Sequence, residues 1–548
     1  MRRGVANADT LDELLSSEHG LRTSALALGA GLVRGAGGHC PCAGAVPRHL
    51  ERELVERIRA GLDPLGEAFC RLRTPAERRP HGAVYTPPAI VRAMGEWAER
   101  TGRPDRVVDP GTGSARFLLD AARRFARAEL IGFETDRLAA LVACANLAAV
   151  GAAARARVIV RDYCRARLRH IPGRTLFIGN PPYVRHHELP AAAKEWLAVS
   201  AARCGLSASR LASLYVHFFL ATWLKAQPGD YGAFITAAEW LDVNYGSLVR
   251  RLLLSGLGGG SLTVIDPAAE PFPGTAATAA ISTFGIGARP AVMRVSRVPA
   301  LEHLGRLGCG KAVRRERLQA ERRWSRLTGV RHRAPAGYVE LGELCRVHRG
   351  QVTGCNRIWI TDGPCCGLPD VVLFRAVTRA REVIRAGGEI ADGCALRRVI
   401  DLPADLDRFA ADERRRIDAF LRRAREAGAH ETYVARARKV WWSLGLRAPA
   451  AILATYMARR PPAFAVNTAG VRHLNVAHGL YPREPLDRET QRLLVAYLNA
   501  CVPRADGRTY AGGLTKFEPR EMERIMVPPP SRLAGVVTGP AMGDGKAA

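Results

Sequence analysis

Val107-Val108-Asp109-Pro110-Gly111-Thr112-Gly113-Ser114-Ala115-Arg116-Phe117 reads as an apolar strand that breaks into a glycine turn and then enters a helix. Glycine has no Cβ, so such a turn lets the backbone approach a ligand closely, and the helix start leaves N–H groups without intrahelical partners. The turn alone is ambiguous, because it has Gly-x-Gly without the third glycine of the dinucleotide fingerprint. Its surroundings are more telling. From about Arg106 to Gly287, short apolar runs alternate with longer Ala/Leu-rich stretches, which predicts a parallel sheet wrapped by helices. Strands are expected at Val107–Asp109, Leu130–Glu134, Arg157–Asp162, Leu176–Gly179, Gly232–Ala237, Leu262–Ile265 and Ala279–Ile286. Helices are expected at Phe117–Ala126, Arg137–Val150, Leu211–Lys225 and Tyr245–Leu254. No helix-length segment separates the last two strands, so the final one is expected to run antiparallel.

Three of these strands finish in a carboxylate at the same predicted edge: Asp109, Glu134 and Asp162. Glu134 lies where an acidic residue accepts hydrogen bonds from ribose hydroxyls. Asp162, with Tyr163 beside it, is placed for an adenine amine. Together they describe an adenosine-shaped pocket. The fourth strand runs into Gly179-Asn180-Pro181-Pro182-Tyr183. An exocyclic amine on a heteroaromatic ring is a poor nucleophile, since its lone pair is delocalised into the ring. Two acceptors, the Asn180 side-chain oxygen and the Pro181 carbonyl, would draw the nitrogen toward tetrahedral geometry and aim that lone pair. Prolines at 181 and 182 fix φ and bring no competing N–H. Tyr183 can stack on the target base.

On these residues the chain resembles the adenine-N6 DNA methyltransferases of restriction-modification systems, in the gamma-type order with cofactor motifs first and target recognition last. The resemblance implies a class I AdoMet-dependent α/β fold, a seven-stranded Rossmann-like sheet with an antiparallel last strand, followed by a C-terminal α+β target-recognition domain. It implies S-adenosylmethionine as cofactor and double-stranded DNA as partner. Tyr85-Thr86-Pro87-Pro88 is similar to the segment that helps hold the methionine part of the cofactor, and Asp109, Gly111 and Gly113 to the cofactor loop. Glu134 matches the ribose ligand, Asp162 and Tyr163 the adenine contacts, and Asn180, Pro181, Pro182 and Tyr183 the catalytic tetrapeptide. Ser213-Leu214-Tyr215, Pro228-Gly229-Asp230 and Gly232–Ile235 follow in the family's order, and Phe272 in Pro271-Phe272-Pro273-Gly274 stands where the family offers a second ring to a flipped base. Farther on, His348–Asn356 and Tyr510–Pro519 resemble segments of the recognition halves. Arg116, where a small residue is usual, is a departure from the pattern.

Composition supports this reading. Eighty-one Lys and Arg against 52 Asp and Glu leave a net charge of +29, which favours a polyanion. Thirteen Cys without a CxxC pair suggest neither a disulfide framework nor a zinc site, so no metal is expected at Cys40/Cys42, Cys365/Cys366, His332 or His348, and a reducing cytoplasm fits. Nothing near the N-terminus has a signal-peptide layout, and Ser24–Val33 is too short to cross a bilayer. The chain divides into an N-terminal helical extension (1–83), a catalytic domain (84–300), a recognition domain (301–530) and a disordered tail (531–548). The main boundary is placed at the Gly305–Gly310 break and the run behind it, Lys311 to Arg333, in which nine basic residues face two acidic ones. Two other readings compete: the same chemistry directed at protein glutamine or RNA, and a DNA-binding subunit without turnover. The length after residue 300 favours DNA, and the intact tetrapeptide favours turnover. The expected state is a monomer, with a separate restriction endonuclease or none.

Overall fold

A computed structural model of the chain describes residues 8–35, 46–73, 86–266, 269, 271, 278–305, 307–328, 337–362, 367–503, 507–510 and 514–537. They form two compact units, one of residues 1–331 with 510–513 and one of residues 332–509 with 514–548.

The first unit is built on strands β1 (Arg106–Asp109), β2 (Glu129–Glu134), β3 (Ala156–Val160), β4 (Thr175–Gly179), β5 (Tyr231–Ala237), β6 (Gly259–Ile265), β7 (Ala279–Gly285), β8 (Val292–Val298) and β9 (Lys311–Arg314). Their order in the sheet is β3-β2-β1-β4-β5-β7-β6-β8-β9. Strands β1 to β5 pair in parallel, whereas β7 lies antiparallel between β5 and β6. This is the sheet of the class I AdoMet-dependent methyltransferases, with the antiparallel strand where the short 266–278 connection requires it. Two further strands extend the expected seven to nine. β8 pairs in parallel with β6 and β9 antiparallel with β8, so the boundary expected at residue 300 falls inside the sheet. Met293, Val295, Val313, Leu318 and Trp324 explain the extension, because they bury their side chains in the same core as β1 to β7.

Alternation along each strand splits the core in two. Val107, Leu176, Ile178, Ala233 and Ile235 face one layer, and Val108, Phe177 and Phe234 face the other. The first layer holds helices α1 (Glu18–Ala27), α2 (Arg48–Arg59), α3 (Pro64–Leu72), α4 (Pro88–Thr101), α5 (Arg116–Arg124) and α6 (Arg137–Ala149). The N-terminal extension therefore belongs to the core: Leu50, Leu54 and Ile58, four apart, form the buried stripe of α2. The opposite layer holds α7 (Ala191–Arg203), α8 (Leu214–Lys225) and α9 (Ser247–Leu254). Helices α4 and α7 were not anticipated.

The second unit is α+β. Cys345–Arg349, Ala477–Pro482, Ile452–Thr455 and Phe464–Val466 form an antiparallel sheet, against which the helix Arg488–Cys501 packs. A second sheet of Ile360–Thr361, Arg398–Ile400, Leu373–Val377 and Arg472–His473 packs through Trp359 and Val399 on Ile417 of the helix Ala411–Glu426. The tail expected to be disordered from 531 instead starts with a helix, Pro530–Val537, that lies on Arg488–Cys501. Leu533, Val536 and Val537 give it an apolar stripe, and Leu533 is fully buried. No helix among the described residues is long and apolar enough to cross a membrane.

Candidate active site

Parallel strands that share one direction deliver their C-terminal residues to one edge, where an α/β sheet binds its ligands. Here β1 ends in Asp109, β2 in Glu134, β3 runs into Asp162, and β4 into Asn180. Between them lies a cavity of about 320 Å³ whose walls include Thr86, Gly111, Gly113, Glu134, Asp162, Tyr163, Asn180 and Pro182.

The glycine loop is fixed from below. Thr112 donates its amide to the Phe133 carbonyl at 2.9 Å, tying the turn to β2. Asp109 is fully buried and its Oδ1 accepts the Gly111 amide at 3.2 Å. Burial pushes its carboxyl up to about 7, against the opposing pull of the Gly111 amide and the Thr112 hydroxyl, with the Glu134 charge adding to the rise. Glu134 crosses to the same loop, accepting the Gly113 amide at 2.9 Å on Oε2 and the Thr135 and Asp136 amides at 2.7 and 3.0 Å on Oε1. Its carboxyl too is raised by burial, opposed by those amides. Ala115 is the one non-glycine with positive φ (74°) among the described residues, a strained turn that starts α5.

Asp162 is half exposed and accepts the Cys164 amide at 2.9 Å. Tyr163 is buried; its hydroxyl pairs with Thr222 at 2.9 Å, so it offers the cavity only its ring, packed between Phe133 and Phe218. Asn180 is buried and donates Nδ2 to the Thr86 hydroxyl at 3.1 Å. With the amide group committed there, the carboxamide has Oδ1 as its acceptor. Tyr183 is half buried, its ring 6.3 Å from that of Tyr215. Burial and the Glu239 charge hold its hydroxyl well above the usual range. Tyr85 and Phe272 lie outside the described residues, as do Cys40, Cys42, Cys365, Cys366 and His332.

The donor set suits a nucleoside-like ligand: aromatic and aliphatic walls from Phe133, Val184, Leu214 and Phe218, with carboxylates at two strand ends. Sequence reasoning missed those walls, and it missed the N-terminal side. Phe69 and Arg73 line the cavity, and Asp63 accepts Arg116 Nε at 2.7 Å. The departure at Arg116 is thereby explained: it has a buried carboxylate to pair with, and it also donates to the Thr86 carbonyl at 3.0 Å. The one local signal at Asp63 is the Asp63-Pro64 pair of a helix start, and a helix start names no distant partner.

Residues 63–200 match the family described as N-6 DNA Methylase, 175–257 the Eco57I restriction-modification methylase, and 396–538 the C-terminal domain of type II methyltransferase M.Eco57I. Type II methyltransferase M.XamI of Xanthomonas campestris pv. amaranthicola is 51% identical over 496 residues, 89% of this chain and 92% of its own. Type II methyltransferase M.AccI of Acinetobacter calcoaceticus is 21% identical over 370 residues, covering 64% of this chain and 68% of its own. Among solved structures, the type IIL restriction-modification enzyme MmeI in complex with DNA superposes with a TM-score of 0.52 at 13% identity, over 91% of this chain and 76% of MmeI, a likeness of fold. With half of its residues shared along nearly the whole of M.XamI, the chain belongs to the type II restriction-modification DNA methyltransferase family.

Proposed function

We propose that the chain methylates the exocyclic N6 amine of adenine in duplex DNA, as the modification enzyme of a restriction-modification or phage-defence system. The observation that carries this reading is Asn180, buried at the cavity edge with Nδ2 held by Thr86 and followed by two prolines. S-adenosylmethionine bound in the cavity supplies an electrophilic methyl group. Glu134 receives its ribose hydroxyls, Asp162 its adenine amine beside the Tyr163 ring, and the loop Asp109, Gly111, Gly113 with Tyr85 and Thr86 its remaining polar groups. Asn180 Oδ1 and the Pro181 carbonyl accept the two hydrogens of the target amine, which localises the nitrogen lone pair. Pro182 keeps that carbonyl rigid. Tyr183 and Phe272 stack on the extruded base, offsetting the few kcal/mol of unstacking. No base is needed before transfer, because the amine sheds a proton only after it has become cationic.

Reading of the DNA sequence is assigned to the second unit. It is supported by a cavity in which Arg346, Arg447 and Arg483 stand among His348, Ala448, Tyr481 and Pro482, a set suited to a backbone phosphate that would hold the duplex in register for reading. A separate nuclease partner is consistent with family membership.

The test is methylation of genomic DNA with labelled cofactor, followed by sequencing for modified bases. Native protein is expected to yield N6-methyladenine at one sequence. Asn180→Ala is expected to fold, keep its cofactor affinity and lose about 10²- to 10³-fold in turnover, the scale for one preorganised polar group. Unimpaired turnover by Asn180→Ala, or label on cytosine, would defeat the assignment.

A further inference from the structure

Asp63 stands at the start of α3, in a segment without any motif, yet only 6% of it is exposed and its carboxylate meets four groups. Oδ2 accepts the Ser114 hydroxyl at 2.5 Å and Arg116 Nε at 2.7 Å. Oδ1 accepts the Gly66 amide at 2.9 Å and Asn146 Nδ2 at 3.1 Å. Asn146 also donates to the Ser114 carbonyl at 2.9 Å. From Arg116 the path continues to the Thr86 carbonyl, and from the Thr86 hydroxyl to Asn180 Nδ2. The residues so held, 114 to 116, are those that bend through the left-handed Ala115. One buried carboxylate thus grips the strained end of the glycine loop and, two residues onward, the carboxamide at the mouth of the cavity.

Burying a charge is costly unless it is paired and fully hydrogen-bonded. Asp63 caps helix α3 through the Gly66 amide, and Leu65, Ala68 and Phe69 dock that helix in the core; the bonds to Ser114, Arg116 and Asn146 go beyond what the cap requires. The same helix brings Phe69 and Arg73 to the cavity wall. We propose that Asp63 is a positioning residue for methyl transfer: through Arg116 and Thr86 it sets the carboxamide of Asn180, and through Ser114 it sets the cofactor loop. The N-terminal segment is then part of the active apparatus. This rests on the methyltransferase reading above.

The experiment uses the full chain and compares native protein with Asp63→Asn, Arg116→Lys and the double variant. Thermal unfolding, S-adenosylmethionine affinity by calorimetry, and single-turnover methylation of genomic DNA at saturating cofactor are measured for each. Asp63→Asn keeps the shape but loses the charge and replaces one of the two accepting oxygens with a donor amide. It is expected to slow the saturated step about 10- to 100-fold, in line with small misplacement of a reacting group, and to weaken cofactor binding as well. Arg116→Lys keeps the ion pair but lacks the planar fork that serves Asp63 and Thr86 together, and is expected to slow the same step. The double variant should be no slower than the worse single one, because Asp63 and Arg116 act on Asn180 through one path. A purely structural role predicts lower unfolding temperatures with an unchanged saturated rate in both single variants, and that result overturns the proposal. Should Asp63→Asn fail to fold, an unchanged rate in Arg116→Lys overturns it equally. Additive losses in the double variant do so too. If native protein neither binds the cofactor nor methylates DNA, the methyltransferase reading has failed, and this proposal with it.

Discussion

Asp109 shows how a single position is tuned by its surroundings. Its carboxyl lies under the loop with no exposure, and its folded-state pKa of about 7 stands above the ordinary 3.8. Ionising it therefore costs more in the folded chain than in the unfolded one. The stability tied to its neutral form is full below about pH 4 and is lost as the pH rises toward about 7. Asp109→Asn retains an acceptor for the Gly111 amide and removes the titration. Without cofactor, the unfolding temperature of the variant should gain on that of native protein between pH 5 and pH 8, by an amount equivalent to a few kcal/mol at most, about 1.4 per pKa unit. A gap that stays constant over the range contradicts the assigned burial. Positions such as this one, Glu134 and Asn180 were legible because each closes a strand in a recognisable order. The partners that set their properties were not: Thr86 lies 94 residues from Asn180, and Asp63 lies 53 from Arg116.

Strand β2 serves as a template for the loop that follows β1. Its Gly132 pairs with Asp109, and a Cβ at 132 would sit 2.7 Å from the Thr112 hydroxyl and 3.0 Å from its Cβ. Contacts that short force the neighbour to move, and Thr112 is in turn bonded to the Phe133 carbonyl. Gly132→Ala is therefore expected to leave the sheet folded and weaken S-adenosylmethionine binding roughly tenfold or more, as read by calorimetry. Thr112→Ala in the same chain, which removes the γ atoms, should recover part of the loss; undiminished affinity in the single variant would show that the loop is not seated on β2. The core strands were readable from their apolar runs because a strand buried on both faces needs no polar partner face. β8 and β9 escaped notice because Val292–Val298 and Lys311–Arg314 mix apolar residues with Arg, Lys and Ser, as strands with one wet face do. The Lys311–Arg333 charge run looked like a linker for the same reason, although Val313, Leu318 and Trp324 within it are core residues.

At the scale of the whole chain, the net charge of +29 becomes an argument about a partner once the family is known. Duplex binding should be dominated by released counterions, so affinity for cognate DNA should fall steeply with salt. Between about 50 and 200 mM salt the loss should reach roughly 10³- to 10⁵-fold if six to ten phosphates are engaged. An affinity insensitive to salt would mean that the basic surface faces something else. The places of the core strands along the chain, the carboxylates at their ends and the Asn-Pro-Pro-Tyr turn were determined by local sequence, since strand period, glycine turns and proline-fixed φ act over a few residues. Tertiary structure alone decided that the sheet continues past residue 300, that Pro530–Val537 forms a helix, and that the motif-free N-terminal segment reaches the cavity at the strand ends. Those outcomes depend on contacts between residues far apart in the chain, where an Asp or a Trp carries no local mark of the partner that packing will bring to it.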